Sequence, residues 1–189
     1  GKLYLIWIDQ LSKAIWFQVF DVGDKKDLSE KKYLVSIQEP RQLSKSIEGN
    51  FDSSFVITQR NFLYGICEIQ NRDYLFSLNL EKTNQDIHLI KKFDNFAVDL
   101  SLNTASDLLT WIEWDSPYMP WEKNNLFFAS VDIDGEIKKI KKFSNELINS
   151  KKNVSFFQPY WISDKILVCS EDSSGWWNLL FIHVRGIGN

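Results

Sequence analysis

The chain has 189 residues, with 44% hydrophobic and 25% charged side chains and a formal net charge of −3. That is enough for one globular domain with a sizeable core. The charge excludes a basic nucleic-acid footprint, and no apolar run approaches the 18 residues of a membrane-spanning helix.

Aromatic residues are abundant, with 14 Phe, 8 Trp and 6 Tyr, and aromatics favour strands. Residues 1–8 form a short apolar stretch interrupted by Asp9 and Gln10. With no small-residue cleavage site after it, this stretch reads as a strand rather than a signal peptide. A polar insertion from Gly23 to Lys32 reads as a solvated loop. From there the chain repeats itself. LIKKFDN at 89–95 recurs as KIKKFSN at 139–145, which carries Ile90 to Ile140, 50 residues on. LFSLNL from Leu75 recurs as LFFASVDI from Leu126 and as LLFIHV from Leu179. One strand earlier, LYLIWID at 3–9, FLYGICE at 62–68, LLTWIEW at 108–114 and ILVCSE at 166–171 take equivalent places.

These runs have strand length, and polar turns such as Asn71-Arg72-Asp73 and Asp172-Ser173-Ser174-Gly175 separate them. The best helix candidate, Ser144 to Lys151, lacks an apolar stripe. Four strands in about 50 residues is the period of a propeller blade. The predicted fold is therefore all-β, a partial β-propeller of about three and a half four-stranded antiparallel blades. They cover roughly residues 1–47, 48–93, 94–143 and 144–184 of a single domain. The long regular period argues against a generic β-sandwich. The lysine-rich runs Ile137–Lys142 and His88–Lys92 should be outermost strands, because lysine on an edge discourages further pairing.

Little in the chain reads as chemistry. No two of its eight glycines stand four apart, so the Gly-x-Ser-x-Gly elbow of a hydrolase is missing. His88 and His183 each sit in a strand-like run, too far apart in sequence to suggest a metal pair. Asp132 to Glu136 is faintly like a calcium loop but reads better as an Asp-Gly hairpin turn. Neither a metal nor a cofactor is expected. Cys67 and Cys169 lie in apolar runs and read as buried free thiols. Sparse cysteine fits a cytoplasmic protein.

The candidate contact residues lie in two stretches. Glu113 and Asp115 are two apart, which on a strand would put both carboxylates on one face. Tyr118, Met119 and Trp121 give apolar bulk to a segment stiffened by Pro117 and Pro120. Trp176 and Trp177, followed by Asn178, are adjacent and should point to opposite sheet faces, one into the core and one outward.

Three motifs in one order carry a resemblance. They are Trp114-Asp115-x-Pro117-x-Met119-Pro120-Trp121, then Phe157-Gln158-Pro159-x-Trp161, then Ser174-Gly175-Trp176-Trp177-Asn178-Leu179. The stretch from 94 to 184 resembles the propeller domain, with its TolB-like repeats, of prolyl oligopeptidase-family serine peptidases, in the acylaminoacyl-peptidase-like branch. Residues 1–93 match less sharply, through the blade pattern and PRQLSK at 40–45. The family's Ser-Pro-Asp-Gly turn is eroded to Asn103-Thr104-Ala105-Ser106 and to Ile162-Ser163-Asp164-Lys165.

The resemblance implies a non-catalytic domain that caps an α/β-hydrolase domain of the parent protein and gates access to it. In that setting Glu113, Asp115, Tyr118, Met119, Trp121, Trp176, Trp177 and Asn178 would line the cavity or the interdomain face. Two other readings stand beside it: a stand-alone propeller that binds a protein or glycan partner, and a purely structural fragment. Three and a half blades cannot close a ring, so both terminal blades should expose apolar faces and the isolated chain should self-associate through them.

Overall fold

The structure is a computed structural model that describes residues 2–22, 34–36, 38–52, 54–143 and 153–186. Its described elements are all strands. The insertion Gly23 to Lys32 and the weak helix candidate Ser144 to Lys151 lie outside the described residues.

Four antiparallel sheets follow one another along the chain. The first holds β1 (Lys2–Asp9), β2 (Ala14–Val22), β3 (Leu34–Ser36) and β4 (Arg41–Gln42), with β3 and β4 both paired to β2. The second holds β5 (Gly49–Phe51), β6 (Val56–Ile57), β7 (Phe62–Ile69), β8 (Arg72–Asn79) and β9 (His88–Lys92). Both β5 and β6 pair with β7, so the inner strand of this blade is broken in two. The third sheet runs in the order β10 (Phe96–Leu102), β11 (Leu108–Trp114), β12 (Asn125–Val131) and β13 (Ile137–Lys142). The fourth is β14 (Phe156–Trp161), β15 (Ile166–Glu171) and β16 (Asn178–His183). Up-and-down sheets stacked in chain order make this an all-β partial propeller. The lysine-rich strands β9 and β13 both lie at sheet edges, as their sequence predicts.

The period-2 alternation of each central strand fills two different cores. Leu63 and Cys67 of β7 pack toward the first sheet with Ile15, Phe17 and Phe76. Tyr64 and Ile66 of the same strand pack the other way, with Phe93, Leu109 and Trp111. β11 repeats the device: Leu109 and Trp111 face the second sheet, while Leu108 and Ile112 join Phe156, Trp161 and Leu167 of the fourth. Gly65 is required by this packing, since a Cβ there would come within 2.8 Å of the Phe55 and Phe76 rings.

Among the described residues, the end sheets have no such neighbour on one side. β16 turns Ile182 inward and leaves Leu179 and Phe181 69% and 62% exposed. Tyr160 of β14 and Val168 of β15 stand in register with Phe181 on that outward face. In the first sheet, Leu3 and Leu5 are exposed, and Trp7 stacks on its cross-strand partner Trp16.

The repeat hides a slip. Leu75 of β8 and Leu126 of β12 pair with the equivalent residues Ile66 and Ile112. Yet Lys91 of β9 pairs with Leu75, while its counterpart Lys141 pairs with Phe128, two residues further along. A two-residue slip preserves which face each side chain takes, and it persists on both sides of the bulge that each pairing carries.

Candidate functional site

In antiparallel blades the loops joining second to third strands share one rim with the connections between blades. Two such loops carry the sequence candidates. The first, 115–124, leaves β11 and turns with Tyr118 N–H donating to Asp115 C=O at 3.0 Å and Glu122 N–H to Met119 C=O at 2.9 Å. The Glu122 carboxylate caps the Met119 N–H at 2.8 Å. The Ser116–Pro117 peptide is cis.

The base of this loop is fixed by Asn124, which is buried. Its amide donates to Pro120 C=O at 2.9 Å and to Phe156 C=O at 2.8 Å, and its Oδ1 accepts from Phe156 N–H at 2.8 Å. One side chain thus ties the third blade to the innermost strand of the fourth. Above this anchor, Tyr118, Met119 and Trp121 are exposed, Trp121 to 60%. Lys123 Nζ stands 5.1 Å from the Tyr118 ring centroid.

The second loop, 172–177, is tied down by Asp172, whose carboxylate accepts from Ser155 N–H at 2.8 Å while its C=O accepts from Gly175 N–H. Gly175 has φ +90°, the left-handed conformation that glycine adopts without a Cβ penalty. Asn178 donates to Ser174 Oγ at 2.7 Å and to Trp176 C=O at 2.9 Å, so it closes the turn. Trp176 and Trp177 precede β16 rather than lie within it. Strand alternation therefore does not apply, and the expected split between core and surface is corrected: both are exposed, at 80% and 51%. Trp177 meets Phe157 edge-on, ring centroids 5.3 Å apart.

The carboxylate pair is also corrected. Glu113 is on β11, but Asp115 lies beyond its end. The two are engaged separately. Glu113 Oε1 accepts from Trp111 Nε1 at 2.6 Å and from Lys91 Nζ of the second blade at 3.0 Å. Lys91 in turn lies 4.1 Å from the Phe93 ring centroid. Removing one member of such a largely buried pair would strand the other charge, so Glu113 is an interblade tie. Asp115 accepts from Asn95 Nδ2 at 2.8 Å at the surface.

The opposite rim is built from the turns between first and second strands, and it is laced across blades. Gln59 donates through its backbone to Ser106 Oγ at 3.1 Å and through its side chain to Thr104 C=O at 2.7 Å. The Thr104 hydroxyl donates to the Asp164 carboxylate. Asn103 is 2% exposed, and its side chain makes four bonds. Its Oδ1 accepts from Asp107 N–H at 3.0 Å and Leu108 N–H at 2.9 Å. Its amide donates to Asp107 Oδ1 at 2.6 Å and Asp164 C=O at 2.9 Å. The eroded family turns thus link three blades in series. A cleft of about 410 Å³ lies beside them, lined by Asp107, Asp164, Lys165, His183 and Arg185 among others.

Other sequence candidates for chemistry have structural places. Asp132 to Glu136 is a hairpin turn: Gly135 has φ +82°, and the Asp132 carboxylate accepts from the Glu136 and Asp134 N–H groups, the first holding its carboxyl below the usual range. His88 lies 3.6 Å from Glu136, and His183 Nδ1 accepts from Arg185 Nε. Burial pushes both the Cys67 and Cys169 thiols up to about 12, which leaves them protonated and unreactive at neutral pH.

The fold and its rims define a propeller segment with structural ties at one end and exposed aromatics at the other. Solved structures similar to it in fold include peptidases. Puromycin hydrolase superposes with a TM-score of 0.70 and 19% identity, over 94% of this chain and 27% of that one. A puromycin-hydrolyzing peptidase of Mycobacterium tuberculosis gives 0.64 and 16%, over 98% and 29%. Prolyl oligopeptidase B from Galerina marginata gives 0.59 and 11%, over 96% and 27%. The chain therefore spans little more than a quarter of the peptidases it matches. No family model matches the sequence, and no curated relative does. The chain has the fold of the propeller portion of prolyl oligopeptidase-family peptidases.

Proposed function

We propose that this chain is the non-catalytic propeller portion of a prolyl oligopeptidase-like serine peptidase or esterase, where it caps an α/β-hydrolase domain and gates substrate entry. The observation that carries the reading is the superposition of nearly the whole chain on a fraction of larger peptidases. The rim that carries Tyr118, Met119, Trp121, Trp176 and Trp177 is the side offered to that domain. Exposed aromatics above a rigid base suit an interdomain surface or a peptide-lined entrance, because they supply contact area at low entropic cost. Glu113, from within, and Asn178, at the surface, brace this rim and do not touch the substrate.

The test uses the protein encoded by the whole reading frame that contains this segment. It should take up one equivalent of a fluorophosphonate serine probe, and the 189-residue chain none. Replacing Tyr118 to Trp121 with a Gly-Ser linker in the whole protein should raise kcat/KM for long peptides about tenfold while sparing dipeptides. Stoichiometric labelling of the isolated chain, or unchanged length selectivity, would sink the proposal.

The wet aromatics at Trp121 and Trp176 also favour a second reading, a stand-alone module that grips a protein or glycan. It requires a reading frame with no Gly-x-Ser-x-Gly segment, together with saturable binding by this chain alone.

A further inference from the structure

Asp73 and Asn124 are equivalent residues, two positions before Leu75 and Leu126, at the entry to the third strands β8 and β12. Each side chain reaches the innermost strand of the next blade. Asn124 Oδ1 accepts from Phe156 N–H at 2.8 Å, and Asp73 Oδ2 accepts from Ala97 N–H at 2.9 Å. Asp73 also takes Phe93 N–H on its own C=O at 2.9 Å. It therefore grips both ends of the 93–97 link that carries the chain from the second blade to the third. The chemistry of the two joints differs: the amide of Asn124 cannot ionise, and the carboxyl of Asp73 can.

The surroundings of Asp73 oppose its charge. It is half-buried, and Glu68 stands directly opposite it in the β7–β8 register, where like charges repel. In the third blade the residue equivalent to Glu68 is the neutral Trp114. Asp52, just beyond β5, adds a third carboxylate. Asp94 lies in the link itself, and Glu113 stands opposite Ala97. The nearby cations turn elsewhere. Arg72 donates to Asp94 C=O at 3.0 Å, Lys91 meets Glu113 at 3.0 Å, and Lys92 stands opposite Tyr74. Among the described residues, no cation forms an ion pair with Asp73. Burial is the largest influence and holds the Asp73 carboxyl above its usual 3.8; the Ala97 N–H opposes this, and Glu68 and Asp52 reinforce it.

We propose that Asp73 is a proton-operated catch on the joint between the second and third blades, closed when protonated and driven toward release by Glu68 when ionised. A folded-state value above the unfolded one means that the closed joint holds the proton more tightly than the open one. The stabilisation is fully present below the ordinary carboxylate value and is lost as pH rises through the raised one. Acid therefore tightens this joint, while Asn124 has no such proton to gain.

The test is native-state hydrogen exchange at the Ala97 amide relative to the Phe156 amide, each corrected for its intrinsic rate at every pH. From pH 4 to pH 7 the protection of Ala97 relative to Phe156 should fall at least about threefold, since each unit of raised value is worth about tenfold in opening. In Asp73→Asn the ratio should stay flat. That variant keeps an acceptor for Ala97 N–H, as Asn124 does for Phe156. In Glu68→Gln, which leaves Asp73 in place, the fall should persist with its midpoint at lower pH. A flat ratio in the unaltered chain, or the same fall in Asp73→Asn, would overturn the proposal. So would an unmoved midpoint in Glu68→Gln, because repulsion across the β7–β8 pair would then not drive release.

Discussion

The two rims of this molecule differ in what their polar groups are doing. At one rim, Gln59, Asn103, Thr104, Ser106 and Asp164 spend their hydrogen bonds on each other across three blades. At the other, Asn124, Asp172 and Asn178 secure the bases of two loops, and the tips above them are apolar and wet. Loops on a rigid scaffold are where binding is usually placed. The contrast teaches that rigidity and exposure are distributed in a definite way. The laced rim ties the blades to one another, and the aromatic rim is free to make contacts because Trp121 and Trp176 stay mostly in water.

The largest effect should come from cutting the lacing. Asn103→Ala removes four hydrogen bonds and strands the buried Leu108 N–H, while the exposed Asp164 loses its tie to the third blade. At roughly 1–3 kcal/mol per stranded buried group, the loss should be about 3 kcal/mol. Asn124→Ala should cost about the same at the other rim, because it strands both backbone groups of Phe156. Urea denaturation measures both. A loss below about 1 kcal/mol at Asn103 would mean that the turns are not coupled across blades.

A somewhat smaller effect separates the interblade cores from either rim. Cys67 lies in the core between the first and second sheets, and Cys169 in that between the third and fourth. Burial, the larger cause, raises both thiols to about 12, with Asp73 and Glu171 adding to it. A folded-state value above the unfolded one means that the native state holds its proton more tightly. The contribution is intact below the unfolded value near 9 and is lost as pH rises toward 12. Stability should therefore fall above pH 9, by up to about 1.4 kcal/mol per pH unit for each thiol. The Cys67→Ala, Cys169→Ala double variant should show a shallower slope. At pH 8.5 a thiol reagent should label the native chain at least about a hundredfold more slowly than the denatured chain. Equal rates would place the thiols at the surface.

Much of the fold could be read from the sequence, because a blade is local. Strand length, turn chemistry and the lysine edges of β9 and β13 each lie within a few dozen residues. The site was harder. Glu113 and Asp115 looked paired because two-residue spacing implies a shared face, and that holds only while the strand continues; β11 stops at Trp114. Trp176 and Trp177 misled for the same reason at the other end of a strand. Asn103 and Asn124 gave no signal, since an Asn in a turn looks the same whether it bonds to its neighbours or to a blade 61 or 32 residues away.

The outward faces of the end sheets give a further contrast, between covered and uncovered blades. We propose that the isolated chain self-associates through them, with Tyr160, Leu179 and Phe181 on one side and Leu3 and Leu5 on the other. Light scattering coupled to size exclusion should find dimers or larger species at tens of micromolar. Leu179→Lys with Phe181→Lys should return the monomer. A monodisperse monomer in the parent chain that binds no hydrophobic dye would refute this.

The smallest effect on stability should come from the residues proposed to matter most for function. Trp121 and Trp176 are 60% and 80% exposed. No ring contact to either is part of the aromatic pairing that ties the blades, which runs through Phe93, Trp111, Phe128, Trp161 and their neighbours. Truncating a side chain that is mostly in water removes little buried area and leaves no cavity. Trp121→Ser and Trp176→Ser should therefore each shift the urea midpoint by no more than about 0.5 kcal/mol equivalent. On the proposed function, the same substitutions in the whole protein should change length selectivity or the contact with the hydrolase domain. Large on stability and silent on selectivity would be the reverse pattern. It would mean that the aromatic tips pack within the propeller and that the proposed assignment of the two rims is wrong.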